Sequence, residues 1–180
     1  MTTEQYIRLG RRVALLSTLC GTLIFGTYWL TMHSGLLFVG YAFILLAGIT
    51  NLFTLALLLI RAGRDQPNRG RLLKTCAILF LNIPLMTVYC LLALIRLQTI
   101  EIQFSNDTGS ELSDIRIIGC SGGYISRLPN GKSATRSLSI TGDCSLFIDY
   151  LYEGQRQKEE VLDYVTPGMG QKVHHQIKVK

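Results

Sequence analysis

The chain has 180 residues, 48% of them hydrophobic, and a formal net charge of +6, and this length allows one or two small domains. Residues 1–98 carry nine basic and two acidic side chains, whereas residues 99–180 carry nine basic and ten acidic ones. Because the positive excess lies beside apolar segments and not on a separate polar domain, it indicates membrane topology and argues against a nucleic-acid partner.

Three long apolar segments occupy the first half of the chain, at residues 13–32, 35–60 and 72–97. A helix of about 20 residues crosses a hydrocarbon core of about 30 Å. Residues 1–98 are therefore predicted to form a three-helix transmembrane domain in a lipid bilayer. The first segment is longer than the apolar core of an ordinary cleaved signal peptide, which favours a retained helix.

A basic loop at residues 61–74 separates the second and third apolar segments and contains a single acid, Asp65. Clustered Lys and Arg between two spans keep a loop in the cytoplasm. The expected topology determinants are Arg11, Arg12, Arg61, Arg64, Arg69, Arg71 and Lys74. We therefore expect a cytoplasmic N-terminus and an exported second half, which in a bacterium means the inner membrane and the periplasm.

The apolar segments carry few strongly polar residues, and two of these are Asn51 and Asn82. An Asn at membrane depth commonly forms an interhelical hydrogen bond, so we expect the two amides to meet across the bundle. Pro84 removes a backbone donor and should kink the third helix. No ionisable residue occupies the centre of a span, which argues against a pump or transporter.

From Thr99 onward, polar and apolar residues alternate in short runs separated by Gly, Pro and Asn turns. The predicted strands are residues 100–104, 115–118, 124–128, 137–140, 144–150, 160–165 and 173–179. Seven short strands in residues 99–180 predict a small all-β domain, either an immunoglobulin-like sandwich or a small barrel.

Five cysteines are distributed between the two halves. Cys20, Cys76 and Cys90 lie in apolar segments and are interpreted as packing residues. Cys120 and Cys144 lie in the predicted β domain. In an oxidising compartment they form the one plausible pair, and we predict a disulfide between them.

Catalytic and metal-binding patterns are absent from the sequence, so we predict no enzyme activity, cofactor or metal. His174 and His175 are adjacent and would point to opposite faces of a strand. An envelope hydrolase would need His174 to meet a serine, such as Ser121 or Ser126, and an acid such as Asp143. Nothing in the spacing of these residues brings them together.

One exposed loop is a candidate partner contact because it presents an apolar residue between two glycines. It consists of Thr166, Pro167, Gly168, Met169 and Gly170. The alternative interpretation is a plain turn. We expect a non-enzymatic membrane protein whose β domain binds a protein partner or a second copy, in an envelope assembly or as an immunity-type protein. The alternative is a ligand sensor whose β domain binds a small molecule and whose helices oligomerise or form a pore.

Overall fold

The computed structural model describes residues 2–178. The chain divides into two compact units, Met1–Ala93 and Leu94–Lys180.

Among residues 2–178, three helices are long and apolar enough to cross a membrane, Thr3–Thr31, Gly35–Arg64 and Gln66–Leu97. The first two are α1 and α2. The third consists of a 3-10 turn at Gln66–Asn68, α3 at Arg69–Phe80 and α4 at Asn82–Leu97. The predicted layout of three apolar helices followed by an all-β domain is confirmed.

Helix α1 begins at Thr3, ten residues before the predicted apolar segment. Thr2 caps it, because its hydroxyl accepts a hydrogen bond from the Gln5 amide while the Gln5 side chain accepts one from the Thr2 amide. This reciprocal pair satisfies two amides that would otherwise lack partners at a helix start. The basic N-terminal stretch with Arg11 and Arg12 is therefore helical.

The basic segment 61–74 is also helical, which corrects its interpretation as a loop. Helix α2 continues to Arg64 and α3 begins at Arg69. Asp65 lies at the turn between them and accepts hydrogen bonds from Thr3 Oγ1 (2.5 Å) and Asn68 Nδ2 (3.2 Å). The hydrogen bond from Thr3 is the main cause that lowers the pKa of Asp65. This turn is thereby bonded to the start of α1.

Helix packing in this unit is concentrated near the basic segment. The core there consists of Ile7, Ala14, Leu58, Ala62, Leu72, Cys76 and Leu79. Gly10 lies at the closest approach, since an added Cβ would be 2.7 Å from Thr75 Cγ2 and 2.8 Å from Leu58 Cδ1. Elsewhere large apolar side chains remain exposed, and Phe38 is 77% exposed.

The third apolar helix is interrupted at Leu81, three residues before Pro84. The proline ring crowds the carbonyl four residues earlier, that of Phe80, and offers no amide to bond to it. Helix α3 accordingly ends at Phe80 and α4 begins at Asn82. The predicted disturbance by Pro84 is thus an interruption of the helix.

The described part of the β unit, up to residue 178, contains seven strands in two sheets. They are β1 Thr99–Asn106, β2 Leu112–Ile118, β3 Gly123–Leu128, β4 Ser133–Ser139, β5 Cys144–Tyr152, β6 Gln155–Val165 and β7 Lys172–Ile177. The three-stranded sheet has the order β4-β1-β7, with β1 and β7 parallel, and the four-stranded sheet has the order β3-β2-β5-β6. An immunoglobulin constant domain would have the orders 1-2-5-4 and 3-6-7, so the strand order here is different.

Both sheets contribute to one apolar core. Its fully buried members include Ile102 and Phe104 from the three-stranded sheet and Ile115, Leu146 and Ile148 from the four-stranded sheet. Inward residues alternate with outward ones along β1 and β5. Two sheets sharing one filled core form a small sandwich, with the interior occupied by side chains.

Cys120 and Cys144 lie at disulfide distance, with Cα atoms 5.3 Å apart. Their pairing fits the prediction and links the end of β2 to the start of β5. Gly119 makes this approach possible, because it has a φ of +108° and an added Cβ would lie 1.9 Å from the Ser145 carbonyl oxygen. Only glycine fits between the two backbones at this point.

Candidate functional site

The outer face of the four-stranded sheet combines charged and apolar side chains in cross-strand rows. One row runs Tyr124, Arg116, Asp149 and Lys158 across all four strands. Arg116 and Tyr124 are exposed, Tyr124 at 54%. Tyr and Arg are enriched at protein interfaces, so Tyr124 and Arg116 are the members of this row that suit a binding surface.

A second row lies beside the first and is more apolar. Ile118 pairs with Phe147, and Phe147 pairs with Glu160. Ile118 is 45% exposed, and the Lys158 ammonium lies 4.8 Å from the centre of the Phe147 ring. The outer-face patch, defined as both rows together with Asp114 and Arg156, therefore combines apolar contact area with charge.

A β-bulge at Asp114 arranges the charges of this patch. The register between β2 and β5 shifts between Ser113 and Arg116, and Asp114 has a φ of +49°. Its carboxylate accepts hydrogen bonds from Arg116 (3.1 and 3.2 Å) and Arg156 (2.5 Å), while Arg156 also donates to Asp149 (3.0 Å). A bulge redirects a side chain in this way.

The same network shifts the acid–base properties of its members. The hydrogen bond from Arg156 is the main cause that lowers the pKa of Asp114, and the one to Asp114 is the main cause that raises the pKa of Arg156. Exposed ion pairs contribute little to stability. A network of fixed charges on an exposed face is better suited to orienting a charged partner.

A polar cleft of about 270 Å³ opens at the β5–β6 edge of the sandwich. Gln155, Gln157 and Glu159 line it from β6, opposite Tyr150 and Tyr152 of β5. Gln157 pairs with Tyr150 and Glu159 pairs with Ile148. Because Tyr150 and Ile148 face inward, their two partners lie on the same inner side of the sheet. Polar residues thus replace apolar ones at this edge, where Gln155 and Gln157 are exposed and the cleft is open to solvent.

At one side of this cleft, His175 Nε2 lies 3.3 Å from Glu159 Oε1. Burial is the main cause that raises the pKa of Tyr150, followed by the negative charge of Glu159. His175 also packs edge-on against Phe104, with ring centroids 6.1 Å apart. The arrangement places a phenol, a carboxylate and an imidazole together.

The structure does not assemble the residues considered for a hydrolase. His174 is exposed and lies 3.1 Å from Ser105 Oγ. Ser121 accepts a hydrogen bond from the Ser139 amide, and Asp143 bonds to Tyr164 and Thr166. The adjacent histidines face different surroundings, since His174 lies beside Ser105 whereas His175 lies beside Glu159 and Phe104. In the described residues, no cluster of three His, Cys, Asp or Glu side chains is placed to hold a metal.

The loop Thr166–Gly170 is exposed at Pro167, Gly168 and Met169, the last at 45%. Its other end is packed against the junction of α4 and β1. The Gly170 amide donates to the Leu97 carbonyl (2.8 Å), and the Glu101 amide donates to Gln171 (2.9 Å). Gly170, at one end of the candidate partner loop, therefore has a structural contact.

Only Gln98 separates α4 from β1. Its carbonyl accepts a hydrogen bond from the Ile140 amide (2.8 Å). Glu101 binds Arg96 (2.9 Å) and Lys172 (3.4 Å). The junction is held from two sides, by the residue after β4 and by the start of β7.

The two amides of the apolar helices, Asn51 and Asn82, come together with residues of α1. Asn82 Nδ2 lies 3.5 Å from Asn51 Oδ1, and Thr18 Oγ1 donates to Asn82 Oδ1 at 2.8 Å. Asn51 Nδ2 donates to Ser17 Oγ (2.9 Å) and to the Ala47 carbonyl (2.7 Å). One polar cluster thus links α1, α2 and α4.

Sequence reasoning did not identify the outer-face patch, the bulge at Asp114 or the participation of Ser17 and Thr18. The patch depends on strand order, which alternation along one strand does not reveal. The available signal was the outward pair Arg116 and Ile118 in β2. In the helices, the hydroxyl groups of Ser17 and Thr18 were a weaker signal of an interhelical polar cluster than the amides of Asn51 and Asn82.

Comparison with known proteins gives little guidance. No family model and no curated protein matches the chain. Among solved structures, an NMR structure of a protein from Eubacterium rectale covers 46% of this chain and 80% of that chain, at 15% identity and a TM-score of 0.38. A likeness this distant supports no argument about the fold or the function.

Proposed function

We propose that this chain is a three-span membrane protein that displays its β domain outside the cytoplasm and acts by binding another protein through the outer-face patch. The observation that carries the proposal is the patch itself, with exposed Ile118 and Tyr124 beside the network centred on Asp114. A filled core behind this face favours a contact surface over an interior ligand site.

The proposed orientation is supported by two independent features. The cations of residues 8–12 and 61–74 lie together at one end of the helical unit, where they favour the cytoplasm. The Cys120–Cys144 pair belongs in an oxidising compartment. In a bacterium these features correspond to the inner membrane and the periplasm.

Site-specific photocrosslinking in native membranes tests the proposed binding. A photoreactive residue at Tyr124 should give a discrete adduct, whereas the same residue at Gln103, an exposed position on the other sheet, should not. The variant Arg116→Glu should abolish the adduct because it reverses the charge beside Asp114. Equal adducts from both positions, or none from Tyr124, would reject the patch. An adduct with a secreted toxin would specify the immunity-type role.

Fusion of alkaline phosphatase or green fluorescent protein after residue 180 tests the orientation separately. Phosphatase activity is expected, since that enzyme requires export. Fluorescence with inactive phosphatase would place the β domain in the cytoplasm.

A ligand sensor is the second candidate, and the cleft beside Tyr150, Gln157 and Glu159 is the observation that favours it. In this case, adding sugars or amino acids to dye-loaded vesicles that contain the full-length protein should change dye release. Gln157→Leu should remove the response. Unchanged release across the panel would count against a gated pore.

A further inference from the structure

The basic end of the helical unit is a folded surface with an excess of exposed cations. Within the described residues 2–93 the acids are Glu4 and Asp65. Glu4 pairs with Arg71 (2.5 Å), and Asp65 lies 3.9 Å from Arg61. The basic platform comprises the six remaining exposed cations, Arg8, Arg11, Arg12, Arg64, Arg69 and Lys74.

Three helices contribute to the platform, and their contacts bring its parts together. The Arg71–Glu4 ion pair and the Thr3–Asp65 hydrogen bond join the first turn of α1 to the α2–α3 turn. Beneath them, Leu58 and Leu72 are fully buried. The cations are therefore carried by a packed structure, unlike those of a disordered basic tail.

The platform lies directly beside uncharged apolar helix. Residues 13–32, 35–60 and 75–95 contain no Asp, Glu, Lys or Arg. In a bilayer, lipid phosphates lie immediately outside the hydrocarbon core. The cations at positions 11, 12 and 74 are thus within about one helical turn of the depth at which phosphates occur.

We propose that the basic platform binds the phosphodiester headgroups of anionic phospholipids. The proposal rests on the insertion of the three helices in a bilayer, which belongs to the proposed function. Charge complementarity favours lipid over an acidic protein, because Arg11, Arg12 and Lys74 lie beside apolar helix segments that lipid tails can cover. Guanidinium groups bind phosphate oxygens in a two-pronged geometry, and five of the six cations are Arg.

Native mass spectrometry of the full-length protein, released from mixed phosphatidylglycerol and phosphatidylcholine vesicles, tests the proposal. Phosphatidylglycerol should be retained in preference to phosphatidylcholine. The triple variant Arg11→Gln, Arg12→Gln, Lys74→Gln should lose this preference, by about fivefold in affinity for each cation near the surface. The matched control removes the same charge from exposed β-domain positions, through Arg127→Gln, Lys132→Gln and Arg136→Gln, and should retain it.

The possible failures are distinguishable. Extraction of the wild-type protein from membranes by alkaline carbonate would overturn the proposed function itself. A protein that stays inserted but retains both lipids equally would overturn the platform alone. Displacement of phosphatidylglycerol by free glycerol phosphate would show a soluble-anion site, and equal losses in the triple variant and its control would show a general charge effect. Either result would also overturn the lipid proposal.

Discussion

The amide of Gly170 donates a hydrogen bond to the carbonyl oxygen of Leu97, at 2.8 Å, and joins the segment before β7 to the last residue of α4. A Cβ at position 170 would lie 2.3 Å from the Arg96 carbonyl oxygen and 2.7 Å from Leu97 Cα. No rotamer can relieve a clash between a Cβ and backbone atoms.

Gly170→Ala should therefore destabilise the β unit by about 1–3 kcal/mol, the usual range for overpacking. Thermal unfolding of the full-length protein in detergent measures the change. Gly142→Ala is the control, because no atom lies within 4 Å of an added Cβ at Gly142. Equal melting temperatures for the two variants would show that the close approach to Leu97 is unimportant.

Removal of the Cys120–Cys144 bond should lower the free energy of unfolding by about 3 kcal/mol. The two cysteines are separated by 24 positions in the sequence, and the bond closes the loop between them. The double variant Cys120→Ser, Cys144→Ser can be compared with wild type by denaturant unfolding. Cys20→Ser, at an exposed position, controls for loss of a thiol. Identical unfolding midpoints with and without reductant would contradict a disulfide in the native protein.

Asn82 should be coupled more strongly to Thr18 than to Asn51. The Thr18–Asn82 hydrogen bond is 2.8 Å long, whereas the Asn51–Asn82 contact is 3.5 Å. Interhelical hydrogen bonds in membranes contribute about 0.6 kcal/mol on average. Double-mutant cycles with Thr18→Val, Asn51→Leu and Asn82→Leu would measure both couplings. Strictly additive losses for both pairs would show that the cluster does not act as a unit.

Acid should weaken the outer-face patch through Asp114. Its folded-state pKa is lowered, mainly by the hydrogen bond from Arg156. The stabilisation is therefore present above the unfolded pKa, about 3.9, and is lost as the pH falls through the folded value. Asp114→Asn should flatten the dependence of melting temperature on pH below about pH 4.

Asp163→Asn, which removes the same charge from an exposed position on β6, is the control for this acid sensitivity. The melting temperature of this control should depend on pH in the same way as that of the wild-type protein. A flattened curve in both variants would assign the effect to net charge and not to the Arg116–Asp114–Arg156 network.

The broad architecture was predictable because it depends on local patterns. Runs of apolar residues of bilayer length specify helices, and alternation from Thr99 onward specifies strands. The pairing of Cys120 with Cys144 followed from compartment and position, without knowledge of the fold. These features require no information about which distant segments meet.

The features that were missed depend on contacts between distant segments. Residues 3–12 looked too polar for a long helix, but Ile7 and Gly10 pack against α2 and α3. To predict the bulge at Asp114, one must know the register between β2 and β5. To predict the strand order, one must know how all seven strands pair. Gly170 resembled a flexible turn residue because its contact, Leu97, is more than seventy positions away in sequence.

If the chain is inserted in a bilayer and binds a partner as proposed, the single residue between α4 and β1 restricts where the β domain can meet that partner. One residue spans about 3.5 Å, so Gln98 gives the domain no tether with which to sample space far from the end of its helix. A partner held in the same membrane would meet it by lateral diffusion, in two dimensions. A freely soluble partner would first have to approach the lipid surface.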